Sequence, residues 1–259
     1  MDFNRIINIA TYAGKIMLES GAEIYRVEET MVRICSAWNI PNLETFVTPT
    51  VIMVSASTTY GQPISIVKRI KKRTVNLEKI SQVNDISRNI KSKGLTLDDI
   101  ENKLSKIESS KAYSDKLNIV LSGVAAAFFS LVFGGNLRDF FVSFFIGCGI
   151  RLISLTLSNL SANDFFINIL CGSFTAIVAL TSTYLNIGSH SDKIIIGSIM
   201  LLVPGLAITN AIRDTIAGDL LAGISRAVEA FLIAVGIAMG TGVVLRFWLV
   251  YFGGVKLWF

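Results

Sequence analysis

The second half of the chain constrains the fold most. From about Lys116 to Phe259 the sequence is apolar and divided into segments of bilayer-crossing length. A helix rises about 1.5 Å per residue and a hydrocarbon core is about 30 Å thick, so each crossing takes roughly 20 apolar residues. Five segments meet that scale, at about 117–134, 137–157, 165–185, 194–216 and 222–250. Their connections are short: Gly135-Asn136, Ser158 to Asp164, and Asn186 to Lys193. Five crossings would place the termini on opposite sides.

Charge divides the chain at the same place. Seventeen of the 24 Lys and Arg residues and 13 of the 19 Asp and Glu residues precede Leu117. The predicted fold is therefore a mainly α membrane protein. A small cytosolic α+β domain over residues 1–115 precedes a transmembrane helical domain over residues 116–259, with the fourth helix broken at Pro204-Gly205. The net charge of +5 is modest and both signs are mixed, which argues against nucleic acid and fits a face near anionic lipid. The three cysteines show neither metal spacing nor a close pair, and the single histidine, His190, falls in a predicted short loop. No cofactor or metal is expected. The N-terminal segment MDFNRIINIATYAGKIML lacks an uninterrupted apolar core and reads as mature protein, not a signal peptide.

In the polar domain, Ile6, Ala10, Ala13 and Met17 recur at helical spacing. So do Ile24, Val27, Met31, Ile34 and Trp38, until Pro41 stops the pattern. Glu23, Arg26, Glu28 and Glu29 lie off that stripe and read as an exposed helix face. Residues 45–48, 51–58 and 64–70 are rich in β-branched side chains and are separated by turn residues, including Tyr60-Gly61-Gln62-Pro63. This predicts three short strands. Helical spacing returns at Leu77 to Ile90, and Thr96-Leu97-Asp98-Asp99 resembles a capping box ahead of another helix. The run from Lys68 to Arg73 is basic and reads as solvated or facing anionic lipid. Lysines at 103, 106, 111 and 116, before the first apolar segment, predict a cytoplasmic N-terminus, as do Arg213 and Arg226. Arg246 and Lys256 do not help.

Polar residues inside the apolar half are the functional candidates. Pro204 and Gly205 interrupt the fourth segment, and a discontinuous helix exposes carbonyls and a half-helix terminus that transporters use to hold ions and carboxylates. Thr209 with Arg213, and Asn210 with Asp214, are each four residues apart and share a helix face. Asp219, Arg226 and Glu229 follow. These residues either line a substrate path or belong to a kinked packed helix and a cytoplasmic loop, with Arg226 and Glu229 snorkelling at the interface. If they line a path, Thr209, Asn210 and Asp214 would border it. Arg213 or Arg226 would attract a carboxylate, and Asp219 or Glu229 could accept a coupling proton. Further on, Ala230, Ala234, Ala238 and Gly242 recur every four residues beside Gly236 and Gly240, a helix-packing face. No catalytic set is evident, so an enzyme is not expected.

Three stretches resemble the threonine/serine exporter (ThrE-like) family, which includes YjjP-type subunits. They are Gly21 to Met31; Arg69-Ile70 through Val83-Asn84-Asp85-Ile86-Ser87-Arg88; and Val203-Pro204-Gly205-Leu206, Thr209 to Asp214, Gly218-Asp219, Gly223, Arg226 and Glu229-Ala230. The third is the most specific, and together they span nearly the whole chain. The resemblance implies a cytosolic N-terminal domain and about five membrane helices in a bacterial inner membrane. It also implies export of small polar metabolites: threonine and serine in some members, succinate in YjjP-type pairs. The chain resembles the first half of full-length members, which implies a separate small membrane partner of the YjjB type. Higher oligomers stay open. The alternative is a sensor or hydrolase-like domain anchored in the membrane.

Overall fold

The computed structural model describes residues 2–40, 42–57, 63–110 and 113–252. Pro41, the 60–62 turn, Lys111 and Lys256 lie outside the described residues. The chain forms two compact units, residues 1–112 with 206–227, and residues 113–205 with 228–259.

The first unit holds α1 (Phe3–Glu19), α2 (Ile24–Ala37), β1 (Glu44–Thr48), β2 (Val51–Ser57), β3 (Pro63–Arg69), α3 (Leu77–Asn89), α4 (Leu97–Ser109) and α9 (Gly205–Ala217, from Leu206 on). The first eight residues of α10 (Leu220–Tyr251) also belong to it. Asp2 caps α1 by accepting from Arg5 N, and Asn76 caps α3 by accepting from Lys79 N. The predicted capping box at Thr96 and Asp99 starts α4. Each cap satisfies backbone donors that a helix start leaves open. Gly21, at φ +88°, makes the α1–α2 turn in a region that disfavours a side chain.

The three expected strands form an antiparallel meander in the order β1-β2-β3, with Phe46 opposite Met53 and Met53 opposite Val67. Alternation turns Val47, Ile52, Val54 and Ala56 inward, and leaves Phe46, Met53 and Val67 on the outer face. One apolar core joins that inner face to Ile6, Met17, Ile24, Met31, Ile34, Ile100 and Leu104, and takes in Ala222 from the start of α10. Burying each large aliphatic side chain contributes about 1.5–3 kcal/mol. A Cβ added at Gly14 would lie 2.5 Å from Met31 Sδ, so this glycine sets how closely α1 and α2 approach.

The second unit contains α5 (Asp115–Val132), α6 (Leu137–Asn159), α7 (Asp164–Tyr184), α8 (Ser191–Ile199) and the remainder of α10. Among the described residues four helices are long and apolar enough to cross a membrane: α5, α6, α7 and α10. The fourth apolar segment does not form a single helix of that length. It divides into α8 and α9, of 9 and 13 residues. Pro204 has no N–H to continue α8, and Gly205 opens α9.

Small residues set the helix contacts in this unit. A Cβ at Gly147 would meet Ser122 O at 2.6 Å, and one at Gly123 would meet Phe144 O at 2.8 Å, so α5 and α6 touch along their backbones. Gly236 faces Phe165 O and Gly240 faces Ile169 O, so α7 and α10 run parallel. Their ends share an aromatic group in which Trp248 stacks on Phe252, at 4.5 Å between centroids, and Tyr184 packs edge-on to Trp248. Aromatic belts at a membrane interface have this composition. Ala230 is buried, whereas Ala234, Ala238 and Gly242 are exposed.

Candidate functional site

Two stretches almost 190 residues apart in sequence meet in the first unit. The turn from Gly21 to Ile24 presents two backbone carbonyls and the opening N–H of α2. Side chains of α9 and α10 take all three. Asn210 Nδ2 donates to Gly21 O at 3.1 Å, Arg226 Nη2 donates to Ala22 O at 2.7 Å, and Ile24 N donates to Asp214 Oδ1 at 3.4 Å. Arg226 Nε lies 3.1 Å from Asp214 Oδ2 and completes an ion pair.

Local chemistry explains the assembly. Asn210 and Asp214 are one turn apart on α9 and point the same way, both buried. Glu23 stands at the N-cap of α2 but makes no side-chain capping bond, and the Asp214 carboxylate accepts from the first N–H of the helix instead. The partial positive charge at a helix N-terminus favours that anion. Gly218, at φ +96°, turns α9 into α10, and Asp219 N donates to Asp214 O at 2.9 Å. The two helices then run so close that a Cβ at Gly223 would lie 2.1 Å from Thr215 Oγ1 and 3.0 Å from Ala211 O. This brings Arg226 alongside Asp214.

The pair is buried: Asp214 is 0% exposed and Arg226 6%. Outside it, Arg213 pairs with Glu23, whose other oxygen lies 3.0 Å from Arg26 Nε. The centre is thus a closed carboxylate–guanidinium contact, and its rim is a two-arginine clamp on one glutamate.

Asp219 lines a shallow cleft of about 170 Å³ between Phe46–Thr48 and Leu220–Ala222. Nearby, the half-buried Glu28 accepts from Val47 N at 3.0 Å. Burial pushes the Glu28 carboxyl up. The charge of Asp219 adds to that push and the Val47 N–H opposes it. Among the described residues no cluster of His, Cys, Asp and Glu could hold a metal.

Of the residues singled out in the sequence, Asn210, Arg213, Asp214 and Arg226 come together. Thr209 is on the exposed side of α9, and Asp219 stands apart at the cleft. Pro204 and Gly205 mark the α8–α9 break, and Glu229 belongs to the second unit. Sequence reasoning missed the receptor for these side chains. Glu23 and Glu28 were expected on an exposed face, yet the Glu23 side chain is only 14% exposed and Glu28 accepts from Val47 N of β1. Gly21-Ala22 before a helix was the available signal. It marks a turn, and backbone carbonyls carry no sequence signature of the side chains that reach them.

The chain matches the threonine/serine exporter family, ThrE, over residues 8–248, and it belongs to that family. A protein of Klebsiella aerogenes named "Probable succinate transporter subunit YjjP" is 24% identical over 233 residues, 90% of each chain. No solved structure matches. The family and the four apolar helices identify a multi-pass membrane protein.

Proposed function

We propose that this member of the threonine/serine exporter family is one subunit of a secondary exporter of small carboxylate-bearing metabolites, and not an enzyme. Its cargo is threonine, serine or a succinate-like dicarboxylate. It works with a separate small membrane subunit of the YjjB type, in a bacterial inner membrane, with residues 1–115 on the cytoplasmic side. The similar protein named a transporter subunit supports the two-chain reading.

The observation that carries the proposal is the buried Arg226–Asp214 contact, built where the family-like stretches meet. A guanidinium binds carboxylates through paired N–H donors. At rest Arg226 holds an internal carboxylate. A substrate carboxylate entering from the cytoplasm takes its place, and Arg213 at the rim attracts it first. Thr209, Asn210 and Asp214 border the path. Asp219 or Glu229 accepts the coupling proton. At about 1.5 Å per residue the 32 residues of α10 are longer than one crossing requires, so Arg226 can sit before the hydrocarbon region while the remainder spans it.

Efflux from cells lacking their own exporters tests the reading. Internal threonine, serine and succinate are followed with this chain alone, with the small subunit alone, and with both. Efflux of one of them only when both chains are present is the expected result. Efflux by the small subunit alone would place the pathway outside this chain. No efflux despite full membrane abundance would overturn the exporter assignment.

A further inference from the structure

Strand register sorts the outer face of the sheet in the first unit into three rows that run across the strands. Glu44, Ser55 and Ser65 form a polar row, in which the two serine hydroxyls are 3.2 Å apart. Phe46, Met53 and Val67 form an apolar row, 49%, 43% and 66% exposed. Thr48, Val51 and Arg69 form the third row, and the exposed Lys71 and Lys72 come next in the chain after the buried Ile70. An antiparallel sheet with one face on a core usually turns a polar face to water. Here the inner face already has its core, and the outer face still carries an apolar row. An exposed apolar strip rimmed by polar and basic residues marks a contact surface.

The apolar surface continues beyond the sheet. Phe46, Val47 and Thr48 share a shallow cleft with Leu220 and Leu221 at the start of α10, and both leucines are exposed. α10 is long and apolar enough to cross a membrane, and its first eight residues belong to this unit. Leu220 and Arg226 are six residues apart, about 9 Å along the helix. With Arg226 at the edge of the hydrocarbon, a headgroup layer about 5–8 Å deep brings the cleft, and with it the end of the sheet that carries Thr48, to the lipid surface.

Charge decides what covers the face. Arg69, Lys71 and Lys72 are exposed, and Glu19, the acid that shares a cleft with the two lysines, is paired with Lys15 at 3.8 Å. Glu44 is in the row farthest from the basic end. An apolar strip with cations along one side suits anionic headgroups over acyl chains: the apolar side chains enter, and the cations meet phosphate oxygens. A second copy of the chain would bring up a face of the same basic charge, which costs free energy where a lipid phosphate gains it.

We propose that the outer face of the β1–β3 sheet docks on an anionic membrane surface, with Phe46, Met53 and Val67 entering the headgroup layer and Arg69, Lys71 and Lys72 holding lipid phosphates. The proposal rests on α10 entering the bilayer near Arg226, as in the exporter reading, and is independent of what the chain carries.

The test uses the purified full chain in vesicles of phosphatidylcholine alone and of phosphatidylcholine with about 30% phosphatidylglycerol. An environment-sensitive dye is attached at Met53→Cys in the Cys148→Ser, Cys171→Ala background, where the buried Cys35 stays unlabelled. With phosphatidylglycerol present, emission should shift to the blue, and a headgroup-spin-labelled lipid should quench it more than it quenches a dye at Ser55→Cys. Each charge removed by Arg69→Gln, Lys71→Gln or Lys72→Gln should lower the docked-to-free ratio about fivefold, and high salt should act in the same direction. Should the dye at Met53 disturb the sheet, the same series at Val67→Cys carries the comparison. Water-like emission in both lipids, with no quenching by the spin-labelled lipid, would overturn the docking surface. A shift that follows protein density or an added small subunit, and ignores phosphatidylglycerol, would overturn it too and assign the face to a second copy or a protein partner. Efflux without lipid contact would sink this proposal alone, and lipid contact without efflux would sink the exporter reading alone.

Discussion

The Arg226–Asp214 contact makes the most demanding prediction, because burial decides its magnitude. Their side chains are 8% and 0% exposed, so loss of Arg226 leaves the Asp214 carboxylate desolvated and without that counter-charge. Breaking a buried pair from one side costs about 3–5 kcal/mol, whereas an exposed pair contributes under about 1 kcal/mol. Arg226→Met leaves the Asp214 carboxylate with the Ile24 N–H and removes the donor to Ala22 O. For a domain of this size each kcal/mol shifts the midpoint by about 2–4 °C, so a fall of roughly 6–20 °C is expected. Removing both charges, as Asp214→Ala with Arg226→Met, should recover a large part of that loss. Cys35 reports the unfolding of this unit. It is fully buried, and burial pushes its thiol up to about 12, so it stays unreactive until the core opens. Labelling by a thiol-reactive dye in a Cys148→Ser, Cys171→Ala background follows that opening alone. A single-variant loss below about 1 kcal/mol, or a double variant no better than the sum of the singles, would refute the buried-pair argument. The same double variant separates two roles. If it is stable and still exports, the pair is structural; if it is stable and silent, Arg226 is on the substrate route.

Two further outcomes test the surroundings of that pair. Gly223→Ala should weaken the α9–α10 contact by about 1–3 kcal/mol, because its Cβ would fall 2.1 Å from Thr215 Oγ1, and Thr215→Ala in the same chain should restore part of the loss in the dye assay. Elsewhere in the unit, hydrogen bonds from Lys15 and Tyr12 hold the Glu108 carboxyl below its ordinary value, while burial, together with the bond to Glu108, pushes the Tyr12 phenol up to about 12. A lowered carboxylate contributes stability that is full above its unfolded value of about 4.3 and is lost as pH falls through its folded value. Glu108 is 41% exposed, so the contribution stays under about 1 kcal/mol. Glu108→Gln should therefore flatten the acid limb of the stability–pH curve and lower the region from about pH 6 to 8 by under about 1 kcal/mol.

Helices, strands and caps were readable because each rests on local chemistry. Thr96 and Asp99 form the box their spacing predicts, and three β-branched runs became three strands. The fourth apolar segment was harder to read. Hydropathy averages across Pro204, while Leu201 and Leu202 already bond three residues back and Pro204 offers no N–H beyond them, so α8 stops at nine residues. Part of the candidate site was readable too, since the four-residue spacing of Asn210 and Asp214 puts both on one face. Their partners were not, because pairing across almost 190 residues is set by how α9 and α10 fold back on the α1–α2 turn, and that turn contributes backbone atoms common to every residue. The same limit hid Ser130, Ser143 and Ser198, whose buried hydroxyls have no hydrogen-bond partner among the described residues. A serine in an apolar helix most often bonds its own backbone, and only packed coordinates distinguish these three from Ser122 and Ser182. Polar residues in the apolar half thus fall into three kinds: hydroxyls satisfied within their helix, charges satisfied by another element, and hydroxyls left without a protein partner. Spacing identifies the first kind and points to the second. The third kind sits in the second unit and the Asp214–Arg226 pair in the first.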